Sequence, residues 1–576
     1  MLSNSIVAGG TAAAYLVVLV LQINPALPLT TSSSWWLAAT IWAAYGVNLA
    51  AACYALIVLR LVLATHPFSP GWFSVRVLSV FCAGAAVAAS TLMWLNLRGF
   101  RATLDDQAAQ AMVIGATAMT ICAVAFVALA ILRLSTGQRG GRAGGLAVVV
   151  LIVASIGLPM LARGLGRPET LSARRLEIGA SAAERYEARV IVLAIDGASL
   201  DFVSPAAADG RLPNFGRLLD AGATLHLATL RPTQPGPVLA AMATGKLPSR
   251  NGVRSAATFT VANGSDAEID LLPDFCFAHG LVTAGLLTES MQNADSLRAL
   301  PLWSILGQAG LASTIVRWPL TFPARPLLGS LVTDQYHRAS EIALALDEPG
   351  LTYPTELADE LRSDPGDVAS ADASRPSAVP GDGYPGDAPL ALDRQYIAIA
   401  DRLDARSPAP LLALRLQGLD TVSHYYLRQA MPRAFGDVSD EERRMYGQVL
   451  EQYYRFVDAE IGRLLDRLGP NDLLLVVSPF GMEPLSPAKR LLEHTLGNAA
   501  LSGTHERAPD GFLMAFGGPV KQGRLPRGAV VDVTPTVLYF LGRPVGRDMD
   551  GFARTDLFTR EFTSTRPIVY IPTYER

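Results

Sequence analysis

Five runs of apolar residues crowd the first 163 positions, at 6–23, 35–59, 77–95, 108–132 and 145–161, and none carries a charge in its interior. Each is long enough to cross about 30 Å of hydrocarbon as a helix. The N-terminal part is therefore expected to be a bundle of five transmembrane helices. Composition agrees: of 576 residues, 50% are hydrophobic and 17% charged, which is too apolar for an all-soluble chain and too long for one compact domain. The first run has no basic stretch before it and further spans follow, so it reads as a retained helix.

Loop charges orient the bundle. Arg60 and Arg76 flank the second loop and Arg133, Arg139 and Arg142 crowd the fourth, whereas the first is uncharged and the third offsets Arg98 and Arg101 with Asp105 and Asp106. Loops two and four are expected to face the cytoplasm, placing the N-terminus inside and everything after Arg163 outside. The expected setting is a bacterial inner membrane, with the C-terminal part periplasmic or extracellular. Charged residues stay at the ends of the spans, so the bundle reads as an anchor or packing platform. Of four cysteines, Cys53, Cys82 and Cys122 lie in spans and only Cys276 beyond them, which excludes a disulfide framework or cysteine metal site there. The net charge of −3 argues against a nucleic-acid partner.

After an Arg-rich linker at 164–188, the region 189–576 alternates apolar β-branched runs with helical patterns. "RVIVLAIDGASLDF" gives a buried strand ending in Asp196-Gly197, and "STIVRW", "APLLALRLQ", "DLLLVVS" and "GFLMAFG" read the same way. Helical patterns fall at 212–221, 357–361 and 441–468. The fold class is α/β, a mainly parallel sheet covered on both faces. The stretch 363–388, rich in Pro, Gly, Asp and Ser, reads as a disordered insert.

In such sheets ligands bind beyond the carboxyl ends of the strands. Asp196 follows the first strand. Asp420 and His424 follow "LLALRLQG" four residues apart, so on a helical turn they share a face; His505 precedes "GFLMAFG". Asp, His and His with an open fourth position is a set that catalytic zinc favours, although a lone Asp-x-x-x-His is more often a helix-surface pair, and packing against Tyr425 and Tyr426 is an alternative role for His424. His226, His279, His337 and His494 have no partner at ligand spacing and read as structural. In "LLLVVSPFGMEP" the strand is expected to break at Ser478-Pro479 into a loop with no metal ligand.

Together "VIVLAIDGASLDF", "GRLPNFGRLLDAGA", "AAMATGKLPSRNGV", "VRWPLTFPA", "LDTVSHYYL", "GTHERAPDGFLMAFG" and "DVTPTVLYFLGRPVGRDMDG" resemble the alkaline phosphatase superfamily, in its type I phosphodiesterase/nucleotide pyrophosphatase branch. The resemblance implies an alkaline-phosphatase-like three-layer domain and two metal ions clamping a phosphoryl group, with a Thr or Ser nucleophile. It makes Asp420, His424 and His505 one complete metal site. A second site would take Asp196 and an Asp-His pair, but those two positions hold Pro479 and Phe480. The nucleophile position falls on Pro235, or with one gap Gly236, and Thr233 is the nearest hydroxyl. Asp196 is left either as a remaining ligand or as the residue forming an Asx-turn with the following backbone.

Three functions follow as expectations. The first is a degenerate enzyme holding one divalent ion, zinc by preference, and a phosphate-bearing lipid or glycan without turnover. The second is an active one-ion phosphoester hydrolase or transferase, with Asp196 or Glu506 as base. The third is a scaffold of an envelope-assembly complex, the helices packing against a membrane-protein partner.

Overall fold

The computed structural model describes residues 1–63, 71–135, 142–166, 188–262, 267–274, 279–339, 350–362, 385–496 and 498–575. Most of the linker, Cys276 and residues 363–384 of the polar insert lie outside them. Two compact units emerge, one comprising Met1–Leu171 with Ala257–Met291, the other Ser172–Ala256 with Gln292–Arg576.

In the first unit the five apolar runs are helices: α1 (Leu2–Ile23), α2 (Ser32–Leu63), α3 (Val75–Gly99), α4 (Asp106–Ser135) and α5 (Arg142–Arg163). All five are long and apolar enough to cross a membrane. Small residues at 83, 86, 89, 109 and 116 bury the seam between α3 and α4 alongside Met93, Met112 and Phe126, a composition that lets helices approach closely where lipid is as apolar as the interface. Val47, Leu56, Val62, Ile121, Val124 and Val153 point outward. That inverted arrangement, apolar outside as well as inside, suits hydrocarbon surroundings.

The same unit takes in 257–291, which the sequence reading assigned to the outer domain. Strands Ala257–Val261 and Leu287–Met291 pair antiparallel, and Phe259, Ile269, Leu272 and Leu287 share an apolar core with Val20 and Leu21 of α1 and Leu37 and Ile41 of α2. Two buried asparagines clasp its backbone. Asn24 accepts from the amides of Asp270 (3.0 Å) and Leu271 (2.9 Å) and donates to the Leu271 carbonyl (2.8 Å). Asn96 accepts from Asp274 N–H at 2.8 Å and donates to its carbonyl at 3.2 Å. Arg163, ending α5, donates to the carbonyls of Leu21, Asn24 and Leu27. The ends of α1, α3 and α5 and the inserted hairpin therefore lie on one side of the bundle. An insert with too few apolar residues for a span of its own finds its hydrophobic partner in the helices, which is why its sequence gave no sign of membership.

The second unit is built on a ten-stranded sheet: β1 (Val190–Ile195), β2 (Ala223–Ala228), β3 (Ser313–Val316), β4 (Gly329–Val332), β5 (Thr352–Tyr353), β6 (Leu411–Leu416), β7 (Leu473–Phe480), β8 (Asp510–Gly517), β9 (Gly523–Arg524) and β10 (Gly528–Ala529). The order is β9-β2-β8-β7-β1-β6-β3-β4-β5, with β10 also on β2. β1 lies parallel between β6 and β7, Val190 facing both Leu411 and Leu473. β8 runs antiparallel to β7 and β2, and β5 antiparallel to β4. The sheet is thus mixed but mainly parallel around β1.

Alternating residues separate two apolar layers, as the strand period demands. Ile191, Leu193, Leu412, Leu414 and Leu474 face helices that include α7 (Asp387–Arg406), α8 (Gly418–Ala430) and α9 (Val449–Asp466). Val192, Leu411 and Ala413 face Met242 of α6 (Pro235–Thr244), Leu302 and Val533. α7 starts at Asp387, so the last two residues of the expected insert belong to a helix. The helix expected at 441–468 is two, Asp440–Tyr446 and Val449–Asp466. Gly447, a poor helix former, lies at the break. Strand β7 does not stop at Ser478-Pro479 but continues to Phe480, opposite Asp510. Its neighbour Gly511 permits this: a Cβ there would lie 2.0 Å from the Ser478 carbonyl oxygen.

Replacing Asn96 by leucine should remove both of its hydrogen bonds to the Asp274 backbone and cost about 2 kcal/mol or more in the unfolding of the detergent-solubilised protein. Asn48→Leu is the control, since Asn48 bonds only the Ala44 carbonyl of its own helix; it should stay within about 0.5 kcal/mol. Equal stability of the two variants would refute the clasp.

Candidate metal centre

The antiparallel course of β8 decides which side chains meet. The carboxyl ends of β1, β6 and β7 lie together, and the start of β8, with the loop before it, returns to that same edge. Asp196 leaves β1, Asp420 and His424 stand on the first turns of α8 after β6, and His505 comes from the loop before β8. One ligand atom from each of Asp420, His424 and His505 falls within 4.8 Å of the others. His424 Nε2 lies 3.6 Å from Asp420 Oδ2 and His505 Nε2 4.0 Å from Asp420 Oδ1. The imidazole rings are 5.0 Å apart at 72°.

The outer contacts fit an ion. His424 Nδ1 is 2.9 Å from the Gly503 carbonyl oxygen and His505 Nδ1 is 3.0 Å from that of Thr233. A carbonyl accepts only, so each Nδ1 carries the proton and each Nε2 presents its lone pair to the shared space. Asp420 is 6% exposed and its Oδ1 has no hydrogen-bond partner. A buried orphan oxygen on a carboxylate that faces two imidazole lone pairs is costly unless a cation satisfies it. The donor set, two nitrogens and one carboxylate, suits zinc. The His424 ring packs against His505 and faces Asp420.

The other expected residues fare differently. Asp196 is fully buried; Arg415 Nε (2.9 Å) and Nη2 (2.6 Å) both donate to its Oδ2. Its Oδ1 has no partner, so the expected Asx-turn does not form. Burial pushes the Asp196 carboxyl up, with Arg415 the largest opposing influence. Gly197 after it has φ +75°, and a Cβ there would lie 3.0 Å from Asp420 Cα, so glycine is needed both for the turn and for the closeness of α8. Thr233 is buried with its hydroxyl donating to the Leu230 carbonyl at 2.8 Å. Pro235 is the first residue of α6, preceded by Gln234, whose side chain accepts from Ala256 N–H. Pro479 brings no donor, and the Phe480 ring, fully buried, packs on His505 at 5.0 Å. Of the remaining histidines among the described residues, His226 and His494 are exposed, His337 Nδ1 is 3.0 Å from the Tyr396 hydroxyl and His279 lies edge-on to Phe259.

Sequence reasoning missed two positions. Arg415 interrupts an otherwise apolar buried strand, and that lone charge was the available signal. Asp393 of α7 lies beneath the start of α8: it accepts from Gly418 N–H at 3.2 and 3.3 Å and from the Tyr453 hydroxyl at 2.8 Å, and pairs with Arg317. It holds the turn that carries Asp420.

A profile described as Type I phosphodiesterase / nucleotide pyrophosphatase matches residues 190–530. Among solved structures, murine ectonucleotide pyrophosphatase/phosphodiesterase 5, in an inactive form with AMP, is 14% identical over 65% of this chain and 100% of its own, with a TM-score of 0.37. The human form is 12% identical over 64% and 100%, with a TM-score of 0.40. No curated protein sequence matches.

Asp393→Ala should cost about 3–5 kcal/mol in thermal unfolding, because Arg317 is left buried and uncompensated. Tyr453→Phe, which removes the hydrogen bond to Asp393, should cost about 1 kcal/mol. A silent Asp393→Ala would show that the network does not hold α8.

Proposed function

The chain belongs to the Type I phosphodiesterase / nucleotide pyrophosphatase family, and on that premise we propose that it is a membrane-anchored binding protein of this fold, holding one divalent ion and a phosphate-bearing ligand without turning it over. The observation that carries the reading is the contrast within one sheet edge. Asp420, His424 and His505 keep a ligand geometry with both imidazole tautomers set, while the position that the family resemblance gives the nucleophile falls on Pro235 or Gly236 at the start of α6, neither of which carries a hydroxyl. Thr233, the nearest hydroxyl, is committed to the backbone of its own turn.

Zinc is the ion that the donor set favours. Bound there it would supply Lewis acidity toward a phosphate oxygen. The ligand we favour is a phosphate-bearing lipid or glycan, since the chain carries five helices fit to cross a membrane. The active one-ion alternative needs a free base, and both candidates are engaged: Asp196 by Arg415, Glu506 by Lys489. The domain is proposed to face the periplasm or cell exterior, because the basic loops lie between α2 and α3 and between α4 and α5.

Full-length protein in detergent, loaded with zinc and desalted, should retain about one ion per chain, and Asp420→Asn or His424→Ala should abolish retention. Bis(p-nitrophenyl) phosphate should be cleaved no faster than in buffer. Zinc-dependent turnover that disappears in His505→Ala would replace the binding reading with the hydrolase. A phosphatase reporter that folds only outside the cytoplasm should be active when fused after Arg175; an inactive fusion there, with a cytoplasm-active galactosidase fusion active at the same position, would reverse the orientation.

A further inference from the structure

Asp196 has the position of a metal ligand and none of the freedom of one. It is fully buried, and both Arg415 donors that reach it converge on one carboxylate oxygen. Arg415 is 4% exposed and sits opposite Ala194 on the neighbouring central strand, so its guanidinium has little room to swing away. Asp334 and Asp420 are the other carboxylates that act on it. An arginine side chain stays charged under all conditions the protein meets. The carboxyl edge of the sheet thus contains a permanent cation, hydrogen-bonded to Asp196, beside the Asp420, His424 and His505 cluster.

We propose that the Arg415 guanidinium is a built-in substitute for a second metal ion, with Asp196 as its counter-charge, so that the site takes one divalent ion and excludes another. Two independent features agree. A divalent ion at Asp196 would face a fixed positive charge a few ångströms away in a desolvated setting, where repulsion is strong. The neighbouring positions have closed as well: Pro479 has no donor, and Phe480 fills the space against His505 with an aromatic ring. Asp196 persists, on this account, because Arg415 would otherwise be buried without a partner. Returning carboxylate and imidazole donors at 479 and 480 is then insufficient to bring back a second ion, because the guanidinium still occupies the charge site.

The assignment deepens the one-ion reading above and rests on it for the first ion, whose failure would show in the unmodified protein's zinc content. Its own test compares two variants of the full-length protein by zinc content after desalting. P479D/F480H, with Arg415 in place, should still retain one ion per chain; two ions would overturn the proposal. P479D/F480H/R415M should retain two, and one ion in a variant with parental circular dichroism would also overturn it. If the triple variant does not fold, the double variant decides alone. D196N provides a separate check: it should keep the first ion at parental stoichiometry, whereas its loss would make Asp196 a ligand and not the guanidinium's partner.

Discussion

A carboxylate buried at the tip of a central β-strand has to face a cation, and the second unit meets that demand in two ways within a few residues. Asp196 at the end of β1 faces the Arg415 guanidinium. Asp420, one strand away, has an oxygen without a hydrogen-bond partner among the described residues, beside two histidines whose Nε2 atoms are left as acceptors. On the proposal above, the chain supplies one cation itself and leaves the place of the other to an ion. The surrounding architecture serves this edge: β8 runs antiparallel so that His505 arrives there, Gly197 lets α8 close on β1, and Asp393 holds the first turn of α8 from below. Removing Asp393 would leave Arg317 buried without its carboxylate, which is among the costlier faults a fold can carry.

How much of this was legible in the sequence depended on how local the signal was. The run Val190–Ile195 announced a buried strand through its own side chains, and Asp420 with His424 announced a helical pair through spacing alone. His505 could be placed only through a strand whose direction no local pattern records. β2 escaped notice because its six residues include an exposed histidine and no long apolar run. Arg415 was read past because five of the six residues of its strand are apolar; its meaning lies in a partner 219 residues away. Pro479 suggested a break in β7, and the reason that none occurs is the missing side chain of Gly511 on the adjacent strand.

The hairpin at 257–291 teaches the same lesson for the membrane part. Its alternating residues are ordinary for a soluble insert, yet its apolar face is completed by α1 and α2 and its backbone by Asn24 and Asn96. Each asparagine supplies donor and acceptor at once, which is the economical way to satisfy an exposed peptide unit where water is scarce. The N-terminal helices are thus more than a tether, since they form one compact unit with a segment interrupting the family's domain.

The central claim is a single ion held by two imidazoles and one carboxylate, with the neighbouring cation supplied by the protein. Zinc-edge X-ray absorption on the loaded full-length protein tests it most directly. The account predicts one zinc environment with two imidazole nitrogens at about 2.0–2.1 Å and a carboxylate oxygen at about 2.0–2.2 Å, and no second zinc at about 3.5–4 Å. A zinc–zinc distance in that range, or a shell without imidazole scattering, would contradict it.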